Sequence, residues 1–330
     1  MERVKFIDTA KGIGIILMVL CHTGFTNARS IQIIYAFHMP LFFIISGYLT
    51  YGRDKHKPLK QFCRKKLYQL IVPFLLFAII LCFYENGIKG WVYILYGSRN
   101  ALSIANTFTP LWFLPCFFVS AMLYNIIERI GNRIVSTIIV IATGMVGFIL
   151  PRTIMQGITL GLPLSIDVAM VGVLLMLIGG VMAKYNVVNK VSAKPVGGGI
   201  LIILGLVGSF NNLPDSLMSE VPHVEMAIGA YGNPILFLFN ATCLSLGLFV
   251  ITSNVSGLLD MKLLEFYGKN SMIILCSHGV IVPIAAGIIG LCPLYGGIKS
   301  IIIWVFVMII SIPVCQLLNN HLPNLIGRKN

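Results

Sequence analysis

Asp8, Lys11 and His22 stand in one stretch near the start of the chain, MERVKFIDTAKGIGIILMVLCHTGF. At about 100° per residue, Lys11 and His22 fall within roughly 20° of each other on a helix, and Asp8 within roughly 40° of His22. The three therefore share one helix face, with Ile15 and Met18 between them. Along the axis Lys11 and His22 lie roughly 16 Å apart. A polar edge that runs from a charged end to a histidine inside an apolar run is costly in a bilayer. Ionisable groups at such depth mark a pathway or a reaction site. The structural alternative is a histidine that hydrogen-bonds between helices as packing glue.

His38 is the second candidate, in IQIIYAFHMPLFFIISGYLTY. A short turn at Asn27–Ser30 sets His22 and His38 at similar depth, roughly 8–10 Å below one surface. Two such imidazoles either face a cavity, where they bind substrate or shuttle a proton, or hydrogen-bond each other across a tight hairpin. Pro40 frees a backbone carbonyl and favours a bend that lines a cavity. Ser46 and Gly47 are small and suit close helix contact. The basic run Lys60–Lys66, with Arg64, Lys65 and Lys66, suits either lipid headgroups or the phosphates of an anionic cofactor. Trp112 reads as an interfacial aromatic. His278, next to Ser277 in a later apolar run, is a weaker candidate than His22. His56, His321 and His223 read as solvated, with contact to an acceptor as the alternative for His223. No serine nucleophile elbow, phosphate-binding glycine loop or metal-ligand spacing occurs, so chemistry here must come from histidine and fixed charges.

The elements that position these residues follow from composition. Apolar residues make up 57% and charged residues 11% of 330, with a mean hydropathy of +0.91. A soluble domain is nearer half apolar and a quarter charged. The chain reads as an all-α polytopic membrane protein, since the short alternating segments of a barrel are missing. About ten spans fit, near 10–27, 31–51, 67–84, 110–127, 134–150, 164–183, 196–211, 233–252, 270–289 and 298–318. They form a single membrane-embedded domain over 1–330, with room for no soluble one beside it. The first span is read as retained rather than as a cleaved signal peptide.

A net charge of +13 suggests nucleic acid, but the placement of the basic residues argues against it. Of the 24 Lys and Arg, only Arg29, Lys89, Arg99, Arg152 and Lys299 fall on the side opposite the N-terminus. That asymmetry puts both termini in the cytoplasm. The loop between the seventh and eighth spans carries Asp215, Glu220 and Glu225 and no Lys or Arg. Eight cysteines, mostly inside apolar runs and without CxxC spacing, read as small buried hydrophobes.

Five stretches occur in one order: IDTAKGIGIILMVLCH, FHMPLFFIISGYL, CRKKLYQLIVPF, PLWFLPCFF and GKNSMIILCSH. Together they resemble the acyltransferase family 3 membrane proteins, in particular the fucose 4-O-acetylase-like branch. The resemblance implies a ten-helix enzyme of the bacterial cytoplasmic membrane. Such an enzyme carries an acyl group, usually acetyl from cytoplasmic acetyl-CoA, to a hydroxyl of an extracytoplasmic or lipid-linked glycan. It implies His22 as catalytic residue, with Asp8 and Lys11 as the acidic and basic residues of the first helix. His38 is placed with the catalytic group. The basic pair that many members carry before the third-helix proline falls near Lys66 and Gln69, ahead of Pro73. The second basic residue is missing here, and Arg64 or Lys65 is the substitute. Under this resemblance Lys11, Arg64, Lys65 and Lys66 contact acetyl-CoA, neutral His22 takes the proton of the acceptor hydroxyl, and an acetyl-histidine relay is the variant. Membrane lipids and a glycan acceptor are the expected partners, with no nucleic acid and no metal. A transporter or flippase of a glycan precursor is the alternative, although the paired broken helices of such proteins are missing.

Overall fold

A computed structural model describes residues 4–51, 58–85, 90–105, 109–153, 160–192, 195–214, 223–255, 259–291 and 296–327. His56, Cys292, Asp215, Glu220, Arg328 and Lys329 lie outside the described residues, so what the sequence suggests for them is untouched. Fifteen α-helices are described: α1 Lys5–Cys21, α2 Ala28–Thr50, α3 Leu59–Lys66, α4 Val72–Glu85, α5 Trp91–Tyr96, α6 Arg99–Ile104, α7 Phe113–Glu128, α8 Arg133–Thr153, α9 Ile166–Lys184, α10 Val187–Ser192, α11 Pro195–Phe210, α12 Pro234–Val255, α13 Lys262–Lys269, α14 Ser271–Gly290 and α15 Gly296–His321. The only extended pairing among the described residues is an isolated bridge between Glu225 and Ala230.

Among the described residues, eight helical runs are long and apolar enough to cross a membrane: α2, α3 through α4, α7 with its leading turn, α8, α9, α12, α14 and α15. A shorter apolar helix, Val196–Phe210 within α11, covers a ninth expected span, and the 17-residue α1 covers part of the first. Side chains on α8 show why lipid is the right solvent. Ile134, Ile138, Ile141, Met145 and Ile149 recur at helical spacing and are all exposed. In water such a stripe is a liability, and in a bilayer it is the ordinary outer face. The chain is a multi-pass membrane protein.

The described chain divides into two compact units. The first holds residues 1–48, 178–225 and 230–312. Its centre is α1, where Ile7, Ala10, Ile15, Met18 and Val19 are all buried. Helices approach closely where glycines replace side chains. A methyl added to Gly12 would overlap the Leu264 carbonyl oxygen, and one on Gly268 would overlap that of Asp8, so α1 and α13 cross backbone to backbone. On α11, Gly198 and Gly205 lie against the Val250 and Leu244 side chains of α12. Gly179 of α9 meets the α2 backbone at Ile44 and Tyr48. Phe6, Tyr48 and Phe249 close this core with three ring contacts at 6.0–6.2 Å. The α2 helix runs through Pro40 without a break. The Ala36 carbonyl nonetheless loses its usual donor there.

The second unit holds residues 49–177, 226–229 and 313–330. The helical run starts earlier here than the apolar pattern suggests. It begins at Leu59, so the basic residues form its first two turns, and a π-turn at Leu67–Ile71 joins α3 to α4. Pro58 is the N-cap of α3, and no breaker follows until Pro73. Pro73 has no N–H for the Gln69 carbonyl, and the wider turn absorbs the mismatch. Trp112 corrects the interfacial reading: it is 4% exposed and packs against Phe113, inside this unit's core. Ser120 of α7 donates to the Ala169 carbonyl of α9 at 2.9 Å and ties those two helices together.

Candidate functional site

α1 ends at Cys21, and His22 is the first residue beyond it, with φ −98° and ψ 3°. The helix rule that aligned His22 with Lys11 therefore stops one residue short, and tertiary contacts aim the imidazole instead. Two hydrogen bonds hold the turn around it. Thr23 donates to the Leu20 carbonyl at 2.8 Å, and Ser300 of α15 donates to the Gly24 carbonyl at 2.8 Å. Trp304 adds a third tie from α15, its indole N–H donating to the Ile16 carbonyl at 3.0 Å. His22 itself is half-buried.

The ring of His278, from α14, lies 5.3 Å from that of His22, centroid to centroid, at 48°. His278 is fully buried, and its Nδ1 stands 3.0 Å from the Ile274 carbonyl one turn back. A carbonyl only accepts, so Nδ1 carries the proton and Nε2 carries the lone pair. His38 repeats the arrangement on α2, with Nδ1 2.7 Å from the Ile34 carbonyl. Its Nδ1 is thus committed to its own helix rather than to a bond across the hairpin. Tyr35 lies edge-on to His38 at 5.0 Å and against His223 at 4.3 Å. His22 and His223 are both electrostatic neighbours of His38.

Four of the six histidines thus gather in the first unit: His22 just past α1, His38 on α2, His278 on α14, and His223. The solvated reading of His223 is corrected: it is half-buried against Tyr35. Burial pushes its imidazole below its usual range. Asn212 holds the end of this loop, accepting from the Asn233 N–H at 2.8 Å and donating to the Tyr231 carbonyl at 3.1 Å. The sequence undervalued His278 as well. Its one signal was a histidine inside an apolar helix, the same signal that singled out His22.

Asp8 and Lys11 stand near the opposite end of α1. Lys11 Nζ is 3.6 Å from Asp8 Oδ1, and the two side chains are 22% and 8% exposed. The pair sits where α13 crosses α1, and α13 brings a second ion pair, Lys269 Nζ to Glu265 Oε2 at 2.9 Å. From Lys11 to His22 the helix rises about 16 Å. The ion pair thus lies toward one end of α1, and the imidazole cluster gathers past its other end. This arrangement can hold an anionic group at the first and exchange a proton at the second.

The other basic candidates belong to the second unit. Arg64 and Lys65 are exposed on α3, and Lys66 is half-buried. Lys66 Nζ lies 5.6 Å from the Phe62 ring and 5.9 Å from the Phe117 ring, and the Arg64 guanidinium lies 5.9 Å from Tyr68. Gly327, at φ +71°, packs against the Tyr68 and Gln69 backbone of the π-turn. All seven described cysteines are free thiols.

Against known proteins, the chain matches the profile of the acyltransferase domain of acyltransferase family 3 over residues 4–320. It is also similar to the nodulation protein NolL of Mesorhizobium japonicum, 28% identical over 141 residues. That match spans 40% of this chain and 38% of the length of NolL.

Proposed function

This chain belongs to acyltransferase family 3 and is an acyltransferase of the membrane, and from that premise we propose that it moves an acetyl group from cytoplasmic acetyl-CoA to a hydroxyl of an extracytoplasmic or lipid-linked glycan, with His22 as general base. All ten apolar helices cross the bilayer in this reading, both termini lie in the cytoplasm, and 1–330 acts as one catalytic domain. An enzyme of this family transfers an acyl group; it does not ferry a whole precursor, as the transporter alternative would.

The acceptor oxygen attacks the thioester carbonyl while neutral His22 takes the hydroxyl proton. The new C–O bond forms, the C–S bond breaks, and the departing thiolate takes that proton back. An acetyl-His22 intermediate is the variant, which splits the same exchange into two steps. Lys11, its geometry held by Asp8, meets the donor's anionic end, and His38 serves as a further imidazole of the site. The exposed Arg64 and Lys65 and the half-buried Lys66 supply further positive charge for phosphates. The observation that carries this reading is the α1 arrangement, an ion pair near one end of the helix and, about 16 Å along, His22 just past its other end beside the imidazole of His278.

The test supplies labelled acetyl-CoA to inverted membrane vesicles that contain the protein. Label moves onto membrane glycan with the wild type. With His22→Ala the rate drops about 10²–10⁴-fold, the usual contribution of a positioned base. Wild-type transfer by His22→Ala removes His22 from the mechanism.

A further inference from the structure

His223 enters the first unit on a backbone held by hydrogen bonds. Glu225 and Ala230 exchange both of theirs, at 2.8 Å and 3.0 Å. Asn212, just past α11, holds Tyr231 and Asn233 through its side-chain amide. Gln32 of α2 donates to the Ser209 carbonyl of α11 at 2.9 Å, which fixes the first turns of α2 to the same helix end. Val224 takes the core position, 2% exposed, and leaves its neighbour His223 half-buried. There His223 packs on the half-buried Tyr35 at 4.3 Å, and Tyr35 stands edge-on to His38 at 5.0 Å. A row of rings therefore leads from two partly open side chains to a buried imidazole of the site.

We propose that Tyr35 and His223 form the acceptor subsite, where a sugar ring of the glycan is bound by hydrogen bonds to His223 and by apolar contact with Tyr35. This rests on the reading of the chain as a glycan acetyltransferase and deepens it. A neutral imidazole offers one donor and one acceptor, which matches a sugar hydroxyl that both donates and accepts. Burial favours that neutral form, because it pushes the His223 imidazole below its usual range. For packing alone, phenylalanine would serve against Tyr35 without the cost of desolvating two ring nitrogens. Tyr35 steadies the imidazole and offers its exposed remainder to the apolar C–H face of the sugar. In the proposed orientation this pair lies on the outer side, where the glycan arrives, and Lys11 lies toward the side of acetyl-CoA.

The test titrates labelled acetyl-CoA and a glycan extract of the host membranes separately against the purified protein in detergent micelles. Each titration gives a half-saturating amount. His223→Phe keeps a ring on Tyr35 but removes both nitrogens. Its half-saturating extract rises about 2–12-fold, the worth of one net hydrogen bond. Its half-saturating acetyl-CoA does not move. His223→Gln keeps a donor and an acceptor on its amide and needs less extract than His223→Phe. A packing role gives the reverse order, because Gln loses the ring. His223→Leu has a reach similar to that of Gln without the amide, and it needs about 2–12-fold more extract than His223→Gln.

The reverse order of Phe and Gln overturns the proposal, and so does a rise of both requirements together in His223→Phe. Equal extract requirements in His223→Gln and His223→Leu overturn it as well, a comparison that stands if the Phe variant fails to fold. Wild-type protein that places no label on the extract overturns the proposed function together with this inference. Wild-type transfer with an unmoved extract requirement in His223→Phe overturns the inference alone.

Discussion

Gly268→Ala is expected to damage the protein far more than one methyl group suggests. The added Cβ would overlap the Asp8 carbonyl oxygen and would stand 2.7 Å from the Asp8 carbonyl carbon and 2.9 Å from the Gly12 nitrogen. Carbon contacts settle near 3.5–4.0 Å, so α13 and α1 must part by about 1 Å. Neither side can yield alone, because the opposing atoms are backbone. Overpacking of this kind costs about 1–3 kcal/mol. The displaced element is also the one that carries Asp8 and Lys11. A shift of about 1 Å in a positioning element can cost about 10²-fold in rate. The assay pairs thermal unfolding of the purified protein in detergent with acetyl transfer in vesicles. Gly287→Ala is the control: it sits within α14, and a Cβ there meets nothing within 4 Å. Its helix propensity gain is about 1 kcal/mol, so this variant should melt no lower than wild type. If Gly268→Ala and Gly287→Ala melt alike and transfer alike, the close crossing of α1 and α13 is not what holds the ion pair.

Lys11→Met leaves the mostly buried Asp8 carboxylate without its ion-pair partner, and losing one member of a buried pair costs about 3–5 kcal/mol. Adding Asp8→Asn should recover stability while the acetyl-CoA requirement stays raised; recovery of both would make Lys11 structural. His223 is neutral more readily in the fold than in the unfolded chain, where its pKa is near 6.5. The unfolded state therefore binds more protons as pH falls below about 6.5, and stability declines until the depressed folded value is passed. His223→Asn should flatten that part of the stability–pH curve, and an unaltered slope would assign it to other groups.

The sequence alone determined the class of solvent and the elements. Apolar runs of about 20 residues leave only helices, and eight helical runs among the described residues are long and apolar enough to span a bilayer. It also placed Asp8 and Lys11 together, because residues three apart on one helix are neighbours whatever the rest of the chain does. The five ordered motifs pointed to the family for the same local reason. Tertiary structure decided the rest. His22 and His278 are more than 250 residues apart, and helical periodicity relates residues only within one helix. His223 looked solvated because it follows an acidic stretch, and only its own packing on Tyr35 buries it. Trp112 looked interfacial because tryptophan belongs to two environments, and only its neighbours choose between them. Partners of a buried polar side chain are supplied by other helices, and no pattern within a single span encodes which helix will arrive.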